Sequence, residues 1–530
     1  MIETSDGGYV INVFTDAENI DFGGNVGNFE IKDAAVLLVK YNAKGDAEWV
    51  QKVMFAGYTF NYEAKRSSIL RTKDDGYVVS GFFDDGITTA GHKKNQDGFL
   101  AKYNSDGHEQ WFYTFGGVGE DIVNSVIEMS DGSFRVIGKF DSMGIDFQNG
   151  VVLDNKGKYD GMLMNFKETD VASMYVKKMT STNLEITSSS SCIDGGYIVG
   201  GDFYRNDINF GDDNILENQN VGYNDGAVVK FNSLGDVEWG KSFGGKNSDY
   251  VTSVVQCTDG GYIVTGTFES SEISIDNKIV FKNMDTTNSN TKDCVVIKYT
   301  ADGSVEWARS IGGNKNDEIV SAAETNDNGY IIVGDFESNS ITVNKKMKLF
   351  NAGNTNGMII KYDYQGNAEW VQSLNGPENV YITSVVATDD GGYVLTGYFT
   401  DCLELEASDV LKSVSGADGF IIKYNKEIFF LIDGYKQEFK RYCPNHYLKY
   451  QIMDFYRKEG YTRMHLNGIS GDFNKSSAFY GLTRFKLGFA AEIEEYIGEF
   501  TLVINKGKYK NYQNASKVVD WLNEPLFKKN

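Results

Sequence analysis

The sequence predicts a mainly β protein: a β-propeller of about seven four-stranded blades, followed by a small α/β fragment. Three observations carry this expectation. A set of phrases recurs about every 65 residues through residues 1–425, apolar residues within it alternate at period two between Asp-Gly corners, and the charge balance changes sign at residue 426. Four short strands per unit is the make-up of a propeller blade, where radial packing hides the faces of each sheet.

The first phrase is Asp-Gly-Gly-Tyr or a near variant, followed by alternating apolar residues and usually Gly-x-Phe. Its aromatic residue stands at Tyr9, Tyr77, Phe134, Tyr197, Tyr262, Tyr330 and Tyr393, at spacings of 57 to 68. The second, Asp-Gly-apolar-apolar-apolar-Lys-Tyr-Asn with variations, runs in step from Asp33, Asp97, Asp160, Asp225, Asp293, Asn356 and Asp418. The third is Glu-Trp or a variant, and it places Trp49, Trp111, Trp239, Trp307 and Trp370, with Tyr175 midway across the double gap. Period-two alternation with β-branched and aromatic enrichment marks strands. Asp-Gly-Gly suits their hairpin corners because glycine reaches positive φ without a Cβ clash. Only 3 prolines in 530 residues agree, since proline removes a ladder donor. A β-solenoid is the competing architecture, but its coils are shorter and its strands parallel. By phase, unit one starts at its second strand and unit seven stops after its third. That gives 26 strands where seven full blades need 28, so either the end sheets are incomplete or the gene once extended upstream of Met1.

Order and spacing of Asp418-Gly-Phe-Ile-Ile-Lys-Tyr-Asn425, Glu306-Trp307 and Asp259-Gly-Gly-Tyr-Ile-Val-Thr-Gly-Thr-Phe268 resemble bacterial propeller repeats of the SBBP type, over residues 1 to about 425.

Composition removes other classes. At 41% apolar and 14% aromatic residues the chain has enough surface to bury, which excludes disorder. No window approaches the roughly 18 to 20 continuous apolar residues of a bilayer helix. Met1-Ile-Glu-Thr-Ser-Asp6 lacks the pattern of a signal peptide. The expected location is therefore cytoplasmic for the sequence as it stands, or the cell surface if the true start lies upstream. Cys192, Cys257, Cys294, Cys402 and Cys443 are far apart, so they read as small buried side chains. Turn carboxylates such as Asp75, Asp194 and Asp259 do not alternate donors as a calcium loop does, and the window at Asn326-Asp-Asn-Gly329 does not complete that pattern. They read as turn chemistry. His92 and His108 lie in polar loops, and neither a metal nor a cofactor is expected.

The net charge of -23 divides into -28 before residue 426 and +5 from there to residue 530. The acidic part has no surface for a phosphate backbone, whereas the tail is basic. The tail also changes period. Residues 445–460 place Leu448, Ile452 and Phe455 on one helical face and end at Gly460, residues 461–467 read as a strand, and residues 476–489 as a second helix.

Leu431-Ile-Asp-Gly-Tyr435, Asn445-His-Tyr-Leu448, Gly460-Tyr-Thr-Arg-Met-His-Leu-Asn-Gly-Ile-Ser470, Tyr480-Gly-Leu-Thr-Arg-Phe-Lys-Leu-Gly-Phe489 and Ile497-Gly-Glu-Phe500 resemble, in this order, the C-terminal end of Fem-type peptidoglycan-bridge aminoacyltransferases. The resemblance implies an acetyltransferase-like α/β fold for the fragment. It also implies transfer of glycine, alanine or serine from aminoacyl-tRNA to the stem peptide of a cell-wall precursor. Carried over by position, Lys486 would set its ammonium against the charge developing on the attacked ester or against the tRNA end, and Phe485 would shape the pocket wall. Tyr435 falls where the family often keeps an aromatic near the peptide channel. His446 and His465 suggest no dyad. The family's first domain and most of its second lie upstream of this segment, in space that the propeller fills here, which counts against turnover by this chain alone. The alternative is a non-catalytic propeller that binds or scaffolds a protein or glycan ligand, with the tail a relic. Residues 419–426 suit either parent, and 420–424 with 428–432 are expected to form a hairpin at the joint.

Overall fold

The computed structural model describes most of residues 1–424, the longest omitted stretches being 54–67 and 85–95, and beyond them residues 427–429 and 463–465. Every regular element it describes is a strand. Seven antiparallel sheets succeed one another along the chain, each ordered first to last strand as the sequence runs. Blade five is representative, with Asp249–Gln256, Tyr262–Phe268, Asp293–Tyr299 and Val305–Ile311. In blade three Tyr175–Met179 fills the place of the Trp strand. Among the described residues no helix is long and apolar enough to cross a membrane.

Blade one holds a strand that the repeat phasing did not count. Ile2–Glu3 pairs with Tyr9–Thr15 as its first strand, which gives that sheet four strands, the others being Ala35–Tyr41 and Ala47–Lys52. Blade seven has three among the described residues, Val380–Ala387, Tyr393–Glu404 and Val410–Tyr424. Its last two form one long hairpin. Blades one and three to six instead carry a short hairpin between second and third strands, separate in blades one, three, four and six, whereas that of blade five, Glu272–Ile275 with Ile279–Lys282, pairs with the last strand of blade four, Val237–Gly244.

The first strands bond to one another across neighbouring blades. Thr187 Oγ1 donates to the Val251 carbonyl at 2.7 Å, Ser188 Oγ accepts from Val254 N–H at 3.1 Å, and Ser125 and Ser189 share a 2.6 Å bond. A β-bulge recurs at one place in these strands, between Val123 and Ser125, Ile186 and Ser188, Val251 and Ser253, Ile319 and Ser321, and Ile382 and Ser384. A bulge re-aims side chains and tightens twist. Here it presents the serines Ser188 and Ser321 to the next blade, where Val254 N–H and Val385 N–H donate to them. The Gly of Gly-x-Phe sits opposite it. A Cβ on Gly138, Gly201, Gly266, Gly334 or Gly397 would collide with a carbonyl of the bulged strand.

One further bond closes the ring. In the first turn of blades two, four and five, the N–H groups of Lys73, Ile193 and Thr258 donate at 2.7 Å to Glu128, Gln256 and Glu324, each the last residue of the next blade's first strand. Asp389 N–H of blade seven donates in the same way to Glu3 of blade one, at 3.4 Å. Blade one therefore adjoins blade seven, and the propeller has seven blades. The outer tryptophans add a second latch. Trp239 and Trp307 donate from Nε1 to the carbonyls of Ala301 and Tyr364, in the last turn of the following blade, at 3.1 and 3.2 Å. Each indole also packs against the next blade's Tyr262 or Tyr330.

Candidate functional site

The recurring phrases converge on one cluster at the turn end of every blade but the third. The Lys of the third strand is nearly buried and reaches the Asp of Asp-Gly-Gly. The pairs are Lys40 with Asp6 (2.9 Å), Lys102 with Asp74 (2.6 Å), Lys230 with Asp194 (2.8 Å), Lys298 with Asp259 (2.8 Å), Lys361 with Asp327 (3.0 Å) and Lys423 with Asp390 (2.7 Å). In blades one, four and six the Glu of Glu-Trp completes a triad, Glu48 at 3.2 Å, Glu238 at 2.7 Å and Glu369 at 3.2 Å. A buried ammonium needs such partners to offset its lost hydration. Burial by itself would raise the pKa of Asp6, yet hydrogen bonds from Thr4, Lys40 and Gly8 hold its carboxyl down at about 2.

The cluster gives the two glycines separate tasks. The first takes positive φ, 83° at Gly260, and Asp75 and Asn328 replace it at 58° and 60° in blades two and six. The second lies against the ammonium, so that a Cβ on Gly8, Gly261 or Gly329 would collide with Lys40, Lys298 or Lys361. Sequence reasoning assigned both glycines to turn conformation and the aspartates to turn chemistry. The missed signal was the recurrence of a Lys in step with the turn Asp through every unit but one, followed eight residues later by Glu in units one, four, five and six. Blade three is that exception: Asn165 replaces the lysine, and Arg135 bonds Asn165 and, at 3.0 Å, the Ser233 carbonyl of blade four.

Other carboxyls are buried where neighbouring blades meet. Asp121, Asp249 and Asp317 open first strands, and Asp97, Asp225 and Asp293 lie in the third strand of the preceding blade, all of them buried. Ser142, Ser270 and Ser338 donate hydroxyl bonds to Asp121, Asp249 and Asp317 at 2.5, 2.8 and 2.7 Å. Burial, only partly offset by these bonds, pushes Asp121 up to about 6, Asp317 to about 7 and Asp249 to about 8, and it pushes Asp293, which accepts from Met284 N–H, to about 7. Among the described residues no group of three His, Cys, Asp or Glu side chains could hold a metal ion. Cys192, Cys257 and Cys294 are buried free thiols and Cys402 is a half-buried one.

The residues singled out for chemistry, Lys486, Phe485 and Tyr435, lie outside the described residues, as do His92, His446 and the helices expected over 445–460 and 476–489. In the tail, Glu427–Phe429 forms a two-stranded sheet with Arg463–His465, which falls inside the strand expected over 461–467. Residues 428 and 429 thus pair with this strand rather than with 420–424, and residues 430–432 of the expected joint hairpin lie outside the described residues.

Comparison with known proteins assigns this end of the chain. Residues 404–517 match the FemAB family. Aminoacyltransferase FemB of Staphylococcus epidermidis is 30% identical over 123 residues, which cover 22% of this chain and 30% of FemB. Aminoacyltransferase FemA of the same organism is 28% identical over 100 residues, 19% of this chain and 24% of FemA. The chain spans less than a third of the length of these curated relatives. The matched stretch starts at residue 404, where the second strand of blade seven ends, so Val410–Tyr424 belongs both to the blade and to the match. From the hairpin of the seventh blade to residue 517, the chain is similar to the FemAB family.

Proposed function

We propose that the segment at residues 404–517 serves tRNA-dependent aminoacyl transfer to a peptidoglycan precursor, the reaction that builds cross-bridges. The carrying observation is the match of that stretch to the FemAB family, and the relatives bear the name aminoacyltransferase. The net charge of +5 over residues 426–530 supports a polyanionic partner such as the tRNA end. In this reading Lys486 stabilises the oxyanion formed when the precursor's amine attacks the aminoacyl ester, Phe485 walls the pocket, and Tyr435 borders the peptide channel. The reaction is placed in the cytoplasm, where charged tRNA is available.

The second reading, a non-catalytic propeller that presents its loops to a protein or glycan, is favoured by the closed seven-bladed ring. Incubating the full chain with tRNA charged with radiolabelled glycine, alanine or serine and a peptidoglycan precursor separates the two. Label in the precursor supports the transferase, and no label with any of the three charged tRNAs supports the binding protein.

A further inference from the structure

We propose that the outer edge of blade seven is a strand-acceptor site, which takes an extended segment of a partner polypeptide carrying Glu-Trp followed by alternating apolar residues.

In blades one to six a fourth strand covers the third. On Val410–Tyr424 no strand among the described residues does so. The consequence shows at Ile421, three residues before the tyrosine that ends the strand. It is 37% exposed, while Leu38, Val296 and Ile359 at the same position of blades one, five and six are 0% exposed. Val410 and Leu411, at the other end of this strand, are exposed too. An open, partly apolar edge is a template for strand addition.

The other blades specify what such a strand carries. In blades one, four and six the buried lysine holds a fourth-strand glutamate besides the turn aspartate. Lys423 has Asp390, and its ammonium lies 5.6 Å from the ring centroid of Tyr9 in blade one. It is 25% exposed, against 1% to 8% for Lys40, Lys230 and Lys361. A strand bringing glutamate would complete the triad with a charge-assisted bond. The tryptophan beside that glutamate has an equally defined seat. Trp49, Trp239, Trp307 and Trp370 each pack on the tyrosine that opens the next blade's second strand, Tyr77, Tyr262, Tyr330 and Tyr393. For blade seven that tyrosine is Tyr9, because the ring closes onto blade one. Main-chain bonding would supply affinity, while the carboxylate and indole would supply selectivity.

The probe is a fluorescent peptide with the sequence of residues 366–376, Gly-Asn-Ala-Glu-Trp-Val-Gln-Ser-Leu-Asn-Gly, titrated with the full chain by anisotropy. One saturable site is expected. The peptide change Trp370→Ala should weaken binding about tenfold or more. The peptide change Glu369→Gln should weaken it on the natural chain but not on Lys423→Met. If Lys423→Met does not fold, the peptide series on the natural chain still decides. Absent saturable binding, equal binding of a scrambled peptide, or a dimer of the chain that the peptide fails to dissociate would each overturn the proposal.

Discussion

At the residue scale, the recurring Asp and Lys, with Glu in three blades, are explained by one ion cluster around a mostly buried lysine in every blade but the third. Lys298 is almost wholly buried, and Asp259 compensates its charge from the protein surface. Removing one partner strands the other, whereas replacing a buried charge by an apolar chain of similar shape removes the need for compensation. Asp259→Ala should therefore lower stability by about 1–3 kcal/mol in denaturant titration, while Lys298→Met should cost less than about 1 kcal/mol. Equal losses in the two variants would refute the asymmetry. The cluster was written in the sequence, since all its members sit in phrases that repeat. What hid it was the half-exposed Asp, which behaves like any turn residue unless the strand-three lysine is known to fold back onto it.

At the element scale, the Gly-x-Phe phrase and the bulge are two sides of one contact. Strand positions were legible from period-two alternation, and Tyr175 fell on a fourth strand as its spacing required. The bulge was not legible, because an inserted residue within Asp249–Gln256 leaves no mark in hydropathy and appears only once the partner strand is in register. Likewise Ile2–Glu3 is too short to show alternation and is recognised through Glu3, which accepts the bond from Asp389. Gly266→Ala would drive a methyl into the Tyr250 carbonyl and should destabilise by about 1–3 kcal/mol, as overpacked sites do. A thermal melt unchanged from that of the natural chain would show that the bulge can relax.

At the scale of the whole molecule, the two charge regimes set the pH response of the ring and separate it from the tail. The interblade carboxyls, with Asp249 raised to about 8 and Asp293 and Asp317 to about 7, hold protons in the folded state that the unfolded chain has released. Their contribution is complete below about pH 4, falls as pH rises from there at about 1.4 kcal/mol per unit for each titrating group, and is gone above about pH 8. Asp6, held at about 2, acts oppositely, and its contribution is lost as pH falls from about 4 toward 2. Melting temperature should accordingly be highest near about pH 4 and fall as pH rises toward 8, and Asp249→Asn should flatten that decline. A melting temperature that rises steadily to pH 8 would contradict this assignment. The propeller was legible because seven copies of one phrase average out local ambiguity, whereas the tail has one copy of each motif and speaks through its relatives. The proposal that the segment similar to the FemAB family transfers aminoacyl groups is tested most directly by single-turnover transfer from charged tRNA to precursor by the full chain and by Lys486→Ala. The account predicts labelled product from the natural chain and at least about a tenfold slower rate from the variant, as loss of an oxyanion partner requires. No product from either chain, or equal rates from both, would contradict it.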